Sequence, residues 1–156
     1  MDPDPPGHLQ VRGPGVFQQY WRRPDATKES FVDGWFRTGD VVIDTGDVYR
    51  ILGRESVDII KTGGEKVSAL EIEEVVRRHP WVADCAVVGV EDIDWGERVV
   101  AAVTCVNGTP TLDDIRHFCA DQLAPAKVSR SLMVVDELPR NPLGKVLKVE
   151  VKALLL

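Results

Sequence analysis

Apolar residues recur along this chain in two different rhythms, and the change falls near residue 54. Before it, short alternating runs dominate. Leu9-Gln10-Val11-Arg12-Gly13 alternates like a strand, and Val41-Val42-Ile43 and Val48 to Leu52 flank the polar stretch Asp44-Thr45-Gly46-Asp47. Two β-rich runs around an Asp/Gly turn predict a hairpin. This stretch also carries Phe17, Tyr20-Trp21 and Trp35-Phe36. It is too short to bury so much aromatic surface by itself, so residues 7–53 read as the β-rich end of a larger domain. The first six residues, acidic and proline-rich, read as a disordered start.

From Arg54 onward helical and extended patterns alternate. Val57 to Lys61 predicts a strand and Thr62-Gly63-Gly64-Glu65 a turn. Ser68-Ala69-Leu70-Glu71 has the spacing of a capping box, in which Ser68 accepts from a helix N–H and Glu71 reaches back. Ala69, Ile72, Val75 and Val76 then lie on one helical face, which His79-Pro80 stops. Ala83 to Val90 and Val99 to Val106 predict apolar strands. Thr111 caps a second helix bearing Leu112, Ile115, Cys119 and Leu123. Leu132 to Val135 predicts a further strand, and Val146, Val149 and Ala153 mark a short last helix. The order over 54–156 is a hairpin followed by αββαβα, a small α+β domain.

The 156 residues are 44% hydrophobic and 28% charged, a composition with enough apolar surface for a core. The net charge of −6 makes nucleic acid a poor partner. No apolar run approaches the roughly 20 residues that span a bilayer as a helix. The N-terminus has neither a secretory nor a mitochondrial targeting pattern. Cys85, Cys105 and Cys119 are odd in number and widely spaced within apolar segments. That predicts buried thiols of an intracellular protein rather than disulfides or a zinc site. His8, His79 and His117 stand at no ligand spacing, so no protein metal site is expected.

Three segments could carry chemistry. Leu138-Pro139-Arg140-Asn141-Pro142-Leu143-Gly144-Lys145 is a shaped loop, because proline fixes φ and glycine relaxes it. Its lysine could be presented to a phosphate or carboxylate as a compact charge. Trp35 to Asp40 ends on a glycine and a carboxylate, and a carboxylate suits the vicinal hydroxyls of a ribose. In Gly53 to Glu73, Arg54 could fork onto a phosphate or ribose, and Gly63-Gly64 would let a narrow ligand arm pass bare backbone. Locally, each also reads as an ordinary turn, cap or surface charge.

Together, in this order and spacing, the three segments resemble the adenylate-forming superfamily, which includes acyl-CoA synthetases and peptide-synthetase adenylation domains. Gly13-Pro14-Gly15-Val16-Phe17 is similar to the text preceding the family's ribose motif, and Trp35 to Asp40 to that motif. Gly53 to Glu73 resembles the hinge motif and Pro139 to Lys145 the terminal lysine motif. The wording of Ser56 to Gly64, Val67 to Glu71 and Asp94-Trp95-Gly96-Glu97-Arg98-Val99 is most similar to the mitochondrial malonyl-CoA synthetase branch.

The resemblance implies a two-step ligase: carboxylate plus ATP gives acyl-AMP and pyrophosphate, and coenzyme A then displaces AMP. It makes Lys145 the adenylation lysine, Asp40 the ribose ligand and Arg54 a nucleotide contact. It makes Ser56 the hinge, where relatives carry Asp or Lys. Gly63 and Gly64 would meet the pantetheine arm, and Trp95 the coenzyme A nucleotide. ATP, AMP, coenzyme A and a short carboxylic acid, malonate or methylmalonate, are the implied small molecules, with Mg2+ arriving on the ATP phosphates. The family's phosphate loop, adenine segment and acyl pocket have no counterpart here. The implied partner is therefore the missing large domain, and the polypeptide alone is expected to make no acyl-AMP. The implied compartment is the mitochondrion, with the cytoplasm as alternative. Two other readings stay open: a stand-alone coenzyme A-binding or regulatory module, and a fragment of a peptide-synthetase adenylation domain.

Overall fold

The computed structural model describes residues 5–155. The expected disorder of residues 1–6 lies largely outside them. The chain forms two compact units, one up to Ser56 and one from Val57.

The first unit is a four-stranded antiparallel sheet built on β3 (Trp35–Asp44). It pairs with β1 (Gly7–Val11), β2 (Phe31–Val32) and β4 (Tyr49–Arg54). Thr45 closes the β3–β4 hairpin, its N–H and hydroxyl both donating to the Val48 carbonyl at 3.1 and 2.8 Å. A short helix, α1 (Pro24–Ser30), was not foreseen; Pro24 opens it, where a missing N–H costs nothing. Phe36 is half-buried. It packs with Phe17 and Phe31, ring centroids 4.9 and 5.4 Å away, and Tyr20 joins Phe17 at 4.8 Å. Trp35 remains 38% exposed, with the Arg12 guanidinium 4.5 Å from its ring.

The second unit has the predicted order. β5 (Ile59–Thr62) and β6 (Glu65–Ser68) form the hairpin, and α2 (Ala69–Val76) follows. Then come β7 (Val82–Asp92), β8 (Gly96–Cys105), α3 (Leu112–Ala120), β9 (Ser131–Val134) and α4 (Lys148–Ala153). The sheet runs β6-β5-β8-β7, and β9 joins β8 in parallel.

The apolar runs of β7 and β8 are continuous because both faces are covered. Cys85, Val87, Val99, Ala101 and Val103 pack with Ile72, Val76, Ile115 and Cys119 of α2 and α3. Ala86, Val88, Val90, Val100 and Ala102 pack on the other face with Leu138 and Val151. Val151, not Val149, turns α4 onto the sheet; Val149 is 79% exposed. Ser68 accepts from the Glu71 N–H at 3.2 Å, as its spacing predicts, and the Glu71 carboxylate takes Lys127 at 2.8 and 2.9 Å. Thr111 and Asp114 form a reciprocal capping box on α3. Cys85 and Cys119 are buried and Cys105 is half-buried. Desolvation, the largest effect, raises the Cys85 pKa, with the nearby Glu73 charge acting in the same direction; Cys85 is therefore a neutral core residue.

Candidate functional site

Within the first unit, Asp40 and Arg54 face each other across β3 and β4. Arg54 Nε lies 3.2 Å from Asp40 Oδ1. The local backbone sets this up. Thr38 donates its hydroxyl to the Leu9 carbonyl at 3.1 Å and accepts the Asp40 N–H at 3.1 Å. Gly39 adopts φ +81°, and its carbonyl accepts the Glu55 N–H at 2.9 Å. A carboxylate oxygen has two lone pairs, so an arginine contact does not exhaust its capacity to accept hydroxyls. Ser56 is exposed and is the last residue of the unit.

Within the second unit, Gly63 and Gly64 form the β5–β6 turn with φ +58° and +82°. Trp95 folds onto this turn. Its carbonyl accepts the Gly63 N–H at 2.9 Å, and a Cβ at Gly63 would stand 3.0 Å from the indole ring. Asp92 Oδ1 orients Trp95 by accepting its N–H at 3.2 Å. Arg130, which sequence reasoning missed, lies with its Cζ 3.5 Å from the ring centroid, a close cation–π contact. Glu97 secures the same hairpin by accepting the Lys61 N–H at 2.7 Å.

Lys145 ends a loop that Asn141 organises. Asn141 Oδ1 accepts the N–H groups of Leu143 and Lys145 at 3.0 and 2.9 Å. The Asn141 and Lys145 backbones also bond, Asn141 N–H to the Lys145 carbonyl at 2.9 Å, and Gly144 turns at φ +81°. Lys145 is exposed, and among the described residues no carboxylate pairs with its ammonium. The Arg140 guanidinium donates to the Gly144 carbonyl and pairs with Asp84.

Beneath this loop lies a charge cluster that the sequence reading did not single out. Lys148, only 9% exposed at its side chain, places Nζ 2.7 Å from both Asp58 Oδ1 and Glu73 Oε1. Glu73 also accepts the Val87 N–H at 2.8 Å and pairs with Arg77 at 3.0 Å. Arg77 in turn donates to Asp84 at 3.2 Å and to the Cys85 carbonyl at 2.9 Å. One signal was available: Glu73 sits on the apolar stripe of α2, between Ile72 and Val76, where a carboxylate needs a partner. Among the described residues no group of three His, Cys, Asp or Glu side chains is arranged to hold a metal.

Residues 71–145 match the model of the AMP-binding enzyme C-terminal domain. The mitochondrial malonate–CoA ligase ACSF3 of Mus musculus is 51% identical over 92% of this chain and 25% of its own length. The malonate–CoA ligase of Arabidopsis thaliana is 43% identical over 94% of this chain and 26% of its own. ATP-bound MatB from Rhodopseudomonas palustris superposes with a TM-score of 0.86 at 38% identity, covering 99% of this chain and 31% of that one. The chain thus spans about a quarter of the length of the curated relatives it matches. It belongs to the adenylate-forming, AMP-binding superfamily, in the acyl-CoA synthetase branch, and carries the C-terminal portion of that architecture.

Proposed function

We propose that this chain is the C-terminal portion of an ATP-dependent acyl-CoA synthetase acting on malonate or methylmalonate, and that it supplies the adenylation lysine. The observation that carries this is Lys145: an exposed ammonium without a carboxylate partner, on a loop whose backbone is held by Asn141. The malonate–CoA ligases among its relatives support the substrate class.

In the first half-reaction a carboxylate oxygen attacks the α-phosphorus of ATP, and the bond to pyrophosphate breaks. Negative charge spreads over the phosphoryl oxygens, and a fixed cation stabilises it. Lys145 fills that role. Asp40 accepts the ribose hydroxyls, and Arg54 beside it adds a contact near the nucleotide. Mg2+ enters as part of the substrate, on the ATP phosphates.

In the second half-reaction the coenzyme A thiol attacks the acyl carbonyl and AMP leaves. The unit from Val57 onward acts as the small mobile domain and the unit up to Ser56 as the end of the large one, with Ser56 as the hinge. A hinge needs adjustable φ/ψ rather than a given charge. Rotation withdraws Lys145 and brings Gly63 and Gly64 to the pantetheine arm. An adenine ring reaching Trp95 would meet the Arg130 guanidinium that lies over it. The compartment carried over from the ACSF3 relatives is the mitochondrion.

The test fuses this chain behind the large domain of the Rhodopseudomonas palustris relative. The fusion is expected to release pyrophosphate from ATP plus malonate, while the 156-residue chain alone releases none. Release by the chain alone, or none from a folded fusion, contradicts the reading. Ser56→Pro in the fusion is expected to slow thioester formation more than adenylation; an equal fall in both would remove the hinge role from Ser56.

A further inference from the structure

Six charged side chains connect the start of β5 to the carbonyl just before Lys145. The path runs Asp58, Lys148, Glu73, Arg77, Asp84, Arg140. Three are carboxylates and three are cations, so the charges balance. Its inner members are the most enclosed: the Glu73 side chain is 4% exposed and that of Lys148 9%.

A buried ion cluster is a poor way to gain stability, because desolvation offsets much of the Coulomb attraction. An apolar side chain at 148 would fill the same space on that account. What the cluster provides is geometry. Lys148 Nζ is fixed at 2.7 Å by carboxylates from two separate segments, the turn just before β5 and helix α2. Lys148 is also the first residue of α4, three positions beyond Lys145. The loop is thus tied at both ends: Arg140 holds the Gly144 carbonyl on one side, and Lys148 anchors the chain on the other. Asp58, at the far end of the path, lies two residues after Ser56 in sequence.

We infer that Lys148 is a positioning residue for Lys145: clamped by Asp58 and Glu73, it makes the lysine loop and the start of β5 move as one body. This rests on the reading of Lys145 as the adenylation lysine. Without the clamp, the ammonium would reach the phosphoryl group over a wider spread of positions, and small misplacements of catalytic groups are costly.

The first measurement is amide hydrogen exchange on the 156-residue chain. In Lys148→Met the Leu143 and Lys145 amides should exchange about 10-fold faster, loosening being local. The Ala101 and Val103 amides of β8 should keep their protection, and Lys148→Arg should restore the loop. Unchanged loop exchange in folded Lys148→Met overturns the inference. Should that variant fail to fold, Asp58→Asn decides. It removes one clamp and leaves Glu73 to balance Lys148, so loop exchange should rise about threefold, and no rise overturns the inference.

The second measurement uses the fusion. Lys148→Met should lower kcat for adenylation about 10-fold with KM for ATP unchanged. A loosened loop with full kcat also overturns the positioning role. Lys145→Ala is the separate control: if it adenylates at the wild-type rate, the assignment of Lys145 fails, whatever the exchange data say about the clamp.

Discussion

The second unit buries both faces of its central strands, whereas the first relies on one sheet and a cluster of rings. In the second, β7 and β8 are covered by α2 and α3 on one side and by α4 and Leu138 on the other. In the first, Val41, Val42 and Leu52 are the buried apolar side chains among the described residues, while Trp21, Val48, Tyr49 and Ile51 are exposed. Small domains are marginal because the fraction of surface they bury falls with size. The second unit is about twice as long and has two apolar layers, so it should stand alone and the first should not.

Excision tests this with the largest effect. A fragment of residues 57–156 should unfold cooperatively in urea, and one of residues 5–56 should show no cooperative transition. A sharp transition in the shorter piece would break the comparison. The next effect lies inside the second unit. Glu73→Ala takes one of two carboxylate partners from both Lys148 and Arg77, breaks the buried charge path at its centre, and leaves the Val87 N–H without its side-chain acceptor. Losing one member of a buried charge cluster costs about 3–5 kcal/mol, read from the urea midpoint.

Paired truncations sharpen the contrast between units. Ile72 is fully buried, and Ile72→Ala should cost about 2–5 kcal/mol. Ile51 is 59% exposed in the first unit, and Ile51→Ala should stay within about 0.5 kcal/mol. A smaller effect is expected at the glycine turn. Gly63→Ala puts a Cβ 3.0 Å from the Trp95 ring at φ +58°, and left-handed backbone costs a non-glycine residue about 1–2 kcal/mol. Trp95 fluorescence should shift with it.

The smallest effect is electrostatic. The Thr111 hydroxyl, and then its N–H, donate to Asp114 and hold its pKa below the usual carboxylate value. A depressed carboxylate pKa contributes stability that is fully present above about pH 4 and is lost as pH falls through the folded value. Thr111→Ala should therefore move the Asp114 NMR titration midpoint upward; a midpoint that stays put would remove the cap as the cause.

Much of the second unit was legible in sequence because its signals are local. The runs in β7 and β8, the Gly63-Gly64 turn and the Thr111 cap each lie within a few neighbouring positions. The charged path was not legible because its partners are remote: Lys148 and Asp58 are 90 residues apart, and Arg140 and Asp84 are 56 apart. Val149 misled for a related reason. In a helix of six residues the face is chosen by what it meets, and Val151 meets Ala86, Val88 and Val100. In the first unit α1 was missed because Pro24-Asp25-Ala26-Thr27 carries no apolar periodicity. Among the candidate functional residues, Asp40 and Arg54 of the first unit and Lys145 of the second stood out through motif order. Arg130 did not, since only the fold brings it over Trp95.

The assignment of Lys145 is tested most directly by separating the two half-reactions in the fusion. Lys145→Ala should lower pyrophosphate release from ATP plus malonate about 100-fold or more, the usual scale for removing one charge-stabilising group. Thioester formation from supplied malonyl-AMP and coenzyme A should continue near the wild-type rate. Equal rates of pyrophosphate release in wild type and Lys145→Ala would contradict the account.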